Sequence, residues 1–174
     1  MGFCHNEFIQ LIVGYSFYEI YITAQRAFTA MGFPYGSDED AAFIIAWLEL
    51  NNFQGINLLA NLTNDLDQKY EGSIQLDNLN KKIDFQNKSI LMKGSGLIDF
   101  MNSEMKYKNK ISVKIINCSN GIFFLPLLYK KTKHINFSKL IFYDKGNKIN
   151  TYKVINEKII FYQKINKNSR LRNI

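Results

Sequence analysis

The spacing of apolar residues changes near Asn80, and this change constrains the fold more than any other feature of the chain. Before it, apolar residues recur at three- and four-residue steps. After it come short runs rich in Ile, Phe, Tyr and Val, broken by Asn, Gly and Lys. The first spacing suits helices with one buried face, and the second suits strands whose side chains alternate between faces. The expectation is an α+β fold, with an N-terminal helical unit (about residues 5–72) packed against a C-terminal, mainly antiparallel sheet (about residues 88–165). No linker separates the two, so residues 1–174 are expected to form a single domain. One core at this size buries roughly two thirds of the unfolded surface. A 47% hydrophobic content, with 14 Phe and 10 Tyr, supplies that core without disulfide or metal.

Helix signals are clear before the break. Asn6 is placed to cap a short helix over Glu7 to Val13. Ser16 and Glu19 have the spacing of a capping box, and the apolar steps that follow predict a helix from Phe17 to Met31. Gly32 suits its C-terminal turn, and Pro34 cannot continue it. Ser37 opens a second helix, to about Leu50, with Asp38, Glu39 and Asp40 in the first turn, where free amides favour negative charge. Trp47 lies in its wide apolar face and is expected to be buried against Ile44, Leu48, Leu59 and Leu62. A third helix is expected from Ile56 to Tyr70.

Strands are expected at Ser89 to Met92, Gly96 to Met101, Ile111 to Ile116, Ile135 to Tyr143, Thr151 to Ile155 and Lys158 to Lys164. A two-residue turn is expected at Asn156 and Glu157, and a reverse turn at Lys145 to Asn147. Within Ile122 to Tyr129, Pro126 argues against a central strand and for a strand end or a helix start.

Charge is divided along the chain. Residues 1–80 hold two bases and ten acids, a net −8; residues 81–174 hold twenty bases and five acids, a net +15; the total is +7. The bases of the second half are mostly lysines scattered among Asn and Ile, as compositional drift and solvated strand faces would give. Aromatic residues are not interleaved with them in sequence. The expectation is weak, strongly salt-dependent nucleic-acid binding without sequence specificity. An acidic partner, including a second copy of the chain in a homo-oligomer, is another way to satisfy this charge. No apolar run approaches the roughly 20 residues of a membrane helix, and the first ten residues carry no Lys or Arg. No membrane partner is expected, and the expected location is cytoplasmic.

Residues suited to chemistry are sparse. Cys4, His5, Cys118 and His134 have no metal-ligand spacing, so neither metal nor cofactor is expected. A Cys118–His134 dyad is conceivable, but a cysteine in an apolar strand context is more often a small buried hydrophobe. Gly94-Ser95-Gly96 after an expected strand suits a tight turn or a phosphate contact, yet no full phosphate-binding fingerprint follows. Asp99 interrupts an apolar run and must face solvent or find a partner. The candidate ligand site lies where the Tyr35–Gly36 turn meets the Gly94 to Asp99 segment. Its residues are Tyr35, Asp38, Glu39, Gly94 and Asp99. Acidic side chains at the helix start favour a small polar ligand with a donor group over an anion.

The stretch from Met31 to Ala42, followed by Trp47-Leu48, Gly55 and Leu58-Leu59, resembles a bacterial family catalogued as domain of unknown function 3726. Gly32, Phe33, Tyr35 and Gly36 follow that family's turn, with Tyr35 at a tryptophan position. Glu39, Asp40 and Ala41 follow its helix start. Thr29 and Ala46 stand where the family carries arginines. Gly94 to Asp99 and Leu125 to Leu128 resemble later segments. A fainter resemblance, without the expected Ser-His-Gly after Gly55, is to the N-terminal helices of non-Rossmann malate/L-lactate dehydrogenases. The family resemblance implies no activity. The expected function is therefore a non-catalytic small-molecule-binding or accessory protein. The alternatives are a small metabolic enzyme built on the Asp38 to Asp40 helix start and the Gly94 to Asp99 segment, or a weak binder of nucleic acid or anionic surfaces. Whether the chain is an enzyme is left open by its sequence.

Overall fold

The computed structural model describes residues 14–65, 69–74, 76–77, 82–107, 111–132, 137–143, 148–155 and 158–165. The expected helix over Glu7 to Val13 and the turn at Lys145 to Asn147 lie outside them. So do Cys4, His5 and His134. Three helices open the described chain, α1 (Phe17–Ala30), α2 (Ser37–Leu50) and α3 (Gly55–Asp65). Two short strands follow, β1 (Leu76–Asp77) and β2 (Lys82–Asp84), then α4 (Ile90–Met105) and β3 (Lys114–Ile116). A 3-10 turn, Gly121–Phe123, leads into α5 (Phe124–Thr132). The chain finishes in β4 (Phe137–Tyr143), β5 (Lys148–Ile155) and β6 (Lys158–Ile165). The architecture is α+β, with helices packed against a C-terminal antiparallel sheet.

The capping box of α1 forms as its spacing predicts. The Ser16 hydroxyl accepts from the Glu19 amide at 3.3 Å, and Glu19 Oε2 accepts from the Ser16 amide at 2.8 Å. Hydrogen bonds from the Ser16 amide and then its hydroxyl hold the Glu19 carboxyl below its ordinary value of 4.5. A carboxyl lowered on folding contributes stability that is present above the unfolded value and lost as pH falls through the folded one. In an NMR titration, the Ser16 amide resonance should report a Glu19 midpoint below 4.5. A midpoint at or above that value would mean that the box does not form in solution. At the other end of α1, Gly32 takes φ +82°, and Phe33 N–H donates to the Phe28 carbonyl at 3.1 Å. The Phe28 and Phe33 rings meet 4.8 Å apart, giving the apolar contact usual in this helix ending.

Helix α2 is the centre of the core. Ala41, Ala42, Ile44, Ile45, Ala46, Trp47 and Leu48 are all buried, and α2 packs against α1, α3, α4 and α5. Trp47 is buried as expected, but the rings facing it are Phe53, stacked at 6.1 Å, and Tyr129 at 5.2 Å.

The region from Ser89 to Met101 corrects the sequence expectation. It contains no strand: the two segments expected there are one sixteen-residue helix, α4, and Gly94-Ser95-Gly96 lies inside it. Its buried positions Ile90, Leu91, Gly94, Leu97 and Ile98 recur at helical steps. A Cβ at Gly94 would stand 2.6 Å from Ile90 Cγ2 and 2.9 Å from Leu127 Cδ1, so the glycine serves the close approach of α4 to α5. Pro126 falls in the first turn of α5, where its missing N–H costs nothing.

The sheet elements fall into two groups. β1 and β2 pair antiparallel and β2 and β3 pair parallel, a small mixed sheet of which the sequence suggested only β3, within Ile111 to Ile116. β4, β5 and β6 form an antiparallel meander in that order. Ile155 pairs with Lys158 at the closed end of β5 and β6, and the turn expected at Asn156 and Glu157 lies outside the described residues. The inward face of this meander, with Tyr152 and Val154 buried, meets α5.

Candidate functional site

Three helices frame a small cleft. Asp40, in the first turn of α2, comes from one side. Ser95, Ile98 and Asp99, on one face of α4, come from another. Leu127 and Lys130 of α5 close the third. Positions 95, 98 and 99 share a face because they are three and four residues apart on a helix. The cleft encloses about 200 Å³, room for roughly seven waters at about 30 Å³ each. That is below the roughly 300 Å³ at which drug-sized pockets begin, so it suits a molecule about the size of an amino acid.

Its charges are arranged asymmetrically. Lys130 Nζ lies 3.6 Å from Asp40 Oδ1 and 5.1 Å from the centre of the Phe43 ring. Both partners of this ion pair are substantially exposed, and such pairs contribute about 0–1 kcal/mol. A ligand can therefore exchange with either partner at little cost. Asp99 is exposed and has no hydrogen-bond or ion-pair partner among the described residues. Ile98 and Leu127 are buried and give the cleft an apolar floor. Among the described residues no hydrogen bond joins Ser95 to either carboxylate.

Of the residues singled out in the sequence, Asp99 lines the cleft, but from a helix rather than from a turn or strand. Tyr35, Asp38, Glu39 and Gly94 do not line it. Tyr35 is 90% exposed at the tip of the α1–α2 turn. Gly94 is buried in the α4–α5 contact. Glu39 is half-buried on α2.

Asp38 is buried and its carboxylate is committed to the fold. Oδ1 accepts from the Gly36 amide at 3.0 Å and the Glu39 amide at 2.8 Å, and Oδ2 lies 3.0 Å from Thr29 Oγ1. Thr29, at a position where the family resemblance places an arginine, thus meets the acid at the start of α2. Gly36 supports this arrangement at φ +87°, a conformation that side chains disfavour. The free amides of the α2 start are consequently occupied from within the chain. Burial first, and then the three acids there with Glu39 foremost, raise the Tyr21 phenol above its ordinary value.

The sequence pointed to Ser95 and Asp40 only as members of longer segments, Gly94 to Asp99 and the Asp38 to Asp40 helix start, and it gave no sign of Lys130. Asp40 and Lys130 are ninety residues apart, and no local signal joins them. Lys93 is 2% exposed, with its ammonium 3.4 Å from Gln86 Oε1, and is not part of the cleft. Cys118 is half-buried, and its thiol donates to the Ser119 carbonyl at 3.4 Å. Among the described residues no group of three or more His, Cys, Asp or Glu side chains could hold a metal ion. None of the described helices is long and apolar enough to cross a membrane.

Fold and cleft together define an α+β protein whose helices enclose a small, mixed-charge pocket. The chain belongs to the family described as protein of unknown function (DUF3726), which matches residues 15–106, more than half of its length. That span runs from α1 through α4 and carries Asp40, Ser95, Ile98 and Asp99. It stops short of Leu127, Lys130 and the β4–β6 sheet. No curated protein and no solved structure matches the chain significantly, and the fainter dehydrogenase resemblance gains no support.

Proposed function

We propose that this protein is a non-catalytic binder of a small polar molecule carrying both a cationic donor and an acceptor group. The observation that carries this reading is the α2–α4–α5 cleft, in which Asp99 is free to accept from the donor and Lys130 to meet the acceptor above an apolar floor. The size of the cleft favours a zwitterion or amino alcohol over a nucleotide or a sugar chain. The cytoplasmic location is part of the same proposal and rests on the sequence.

Thermal unfolding in the presence of amino acids, amino alcohols and small amino sugars tests it. A ligand that binds only the folded state raises the apparent stability, by about 2.7 kcal/mol at a hundred times its Kd. At least one such compound should raise the Tm. Asp99→Asn and Lys130→Met should each abolish that shift while melting close to wild type without ligand, because both side chains are exposed. A shift that survives both substitutions, or no shift from any of these compounds, would remove the cleft as the site.

A further inference from the structure

The β4–β5–β6 meander packs one face on α5 and turns the other to solvent. Cross-strand register shows what that outer face contains. In the first row, Phe137 pairs with Ile155 and Ile155 with Lys158. In the second, Lys139 pairs with Lys153 and Lys153 with Ile160. In the third, Ile141 pairs with Thr151 and Thr151 with Tyr162. Ile149, paired with Lys164, lies one row further on. Phe137, Ile141, Ile160 and Tyr162 are each 40–51% exposed, and Lys139, Lys158 and Lys164 are exposed beside them. Lys153 Nζ lies 5.0 Å from the centre of the Tyr162 ring. The lysines and aromatic rings that look scattered in the sequence are therefore interleaved on one surface. None of these outer-face positions carries an acid.

We infer that this sheet face binds single-stranded nucleic acid, with the lysines meeting phosphates and Phe137 and Tyr162 stacking on bases. Charge and chemistry select this occupant. A second copy docking face to face about a two-fold axis would set lysines against lysines, because such an interface is self-complementary. An acidic peptide would satisfy the cations but would leave the two rings without planar partners. A single strand satisfies both, since phosphate charge drives association and every base offers a face for stacking. Phe137 and Tyr162 stand on the two edge strands and four residues apart along the sheet. This places them roughly 17 Å apart at about 3.4 Å per residue and 4.8 Å per strand, so a strand crossing the sheet diagonally meets both. Nothing on the face reads base edges, so binding is sequence-tolerant. The sheet lies beyond the region that matches the family, and its lysine-bearing face is the one opposite α5, so this activity is separate from the cleft.

Fluorescence anisotropy with a labelled oligothymidylate of about 15 nucleotides is the test. With four lysines engaged, the logarithmic salt slope should be about −3, so doubling the salt weakens binding roughly sevenfold. Phe137→Ala and Tyr162→Ala should each weaken binding roughly fivefold to a hundredfold, as loss of one stacked base does. Lys139→Glu with Lys153→Glu should reduce both the affinity and the slope. Lys130→Met, in the cleft, should leave oligonucleotide binding unchanged. Circular dichroism melts confirm that each variant is folded, and the half-exposed positions make large losses of stability unexpected. The inference fails if a duplex of the same length binds as tightly as the single strand. It also fails if polyglutamate competes equally well, or if both aromatic variants bind like wild type. If the substitutions change the mass of the protein in solution and leave oligonucleotide binding unaltered, the face is an interface between copies and the inference is overturned.

Discussion

Trp47→Ala should destabilise the protein by about 3–5 kcal/mol, as truncation of a buried large aromatic side chain does. Trp47 is only 8% exposed and sits where three parts of the fold meet. It is carried by α2, stacked on Phe53 from the loop before α3, and tilted against Tyr129 of α5. Phe53 also meets Tyr152 of β5 edge-on at 6.0 Å. Removing the indole therefore opens a cavity between the helices and the inner face of the sheet, walled by the Phe53 and Tyr129 rings, that cannot close fully. In a domain of this size the Tm should fall by roughly 6–20 °C. Emission of the wild-type tryptophan should be blue-shifted, as a buried indole requires. A variant melting within a few degrees of wild type would contradict this packing.

Asp38→Ala should cost about 2–4 kcal/mol, the largest loss from any single carboxylate at the start of α2. The substitution leaves the Gly36 and Glu39 amides without their acceptor and removes the contact to Thr29. Asp38 is 4% exposed, so water cannot readily replace the lost partner. Asp38→Asn retains one oxygen for the two amides and should lose less. Asp40→Ala should stay within about 1 kcal/mol of wild type, because it breaks only an exposed ion pair. Chemical denaturation of the three variants measures the order. Equal losses for Asp38→Ala and Asp40→Ala would show that the buried carboxylate has no special part in holding the turn.

The contrast between these two acids shows where sequence reading succeeds. Ser16, Glu19, Gly32 and the α2 boundaries were legible because capping and helix termination are local, decided within a few residues of each position. The antiparallel pairing of β5 with β6 was legible because strand alternation is also local. Helix α4 was misread because Gly94 and Gly96 disfavour helix by about 1 kcal/mol each and its β-branched and aromatic residues suggest strands. Burial of Ile90 and Leu97 in the core, and the close approach of α4 to α5 at Gly94, outweigh that preference. Ile90, Leu91, Gly94, Leu97 and Ile98 already had helical spacing, and weighing it above composition would have found the helix.

The cleft was legible only in Asp99, since its other walls come from elements that are distant in sequence. Asp38 and Asp40 sit in one acidic run, yet one turns inward to the Thr29 contact and the other outward to Lys130. No count of charges distinguishes them. The sheet face posed the same difficulty in another form. Lys153 and Tyr162 are nine residues apart and become neighbours only through the register of β5 with β6.

Whether the α2–α4–α5 cleft holds a ligand is decided by ¹H–¹⁵N correlation spectra recorded while titrating the strongest stabilising amino acid or amino alcohol. Amide shifts should concentrate at Asp40, Ser95 to Asp99 and Leu127 to Lys130, and should disappear in Asp99→Asn. Shifts centred on Tyr35, Gly36 and Glu39, or no shift at millimolar concentrations of any of these compounds, would contradict this placement.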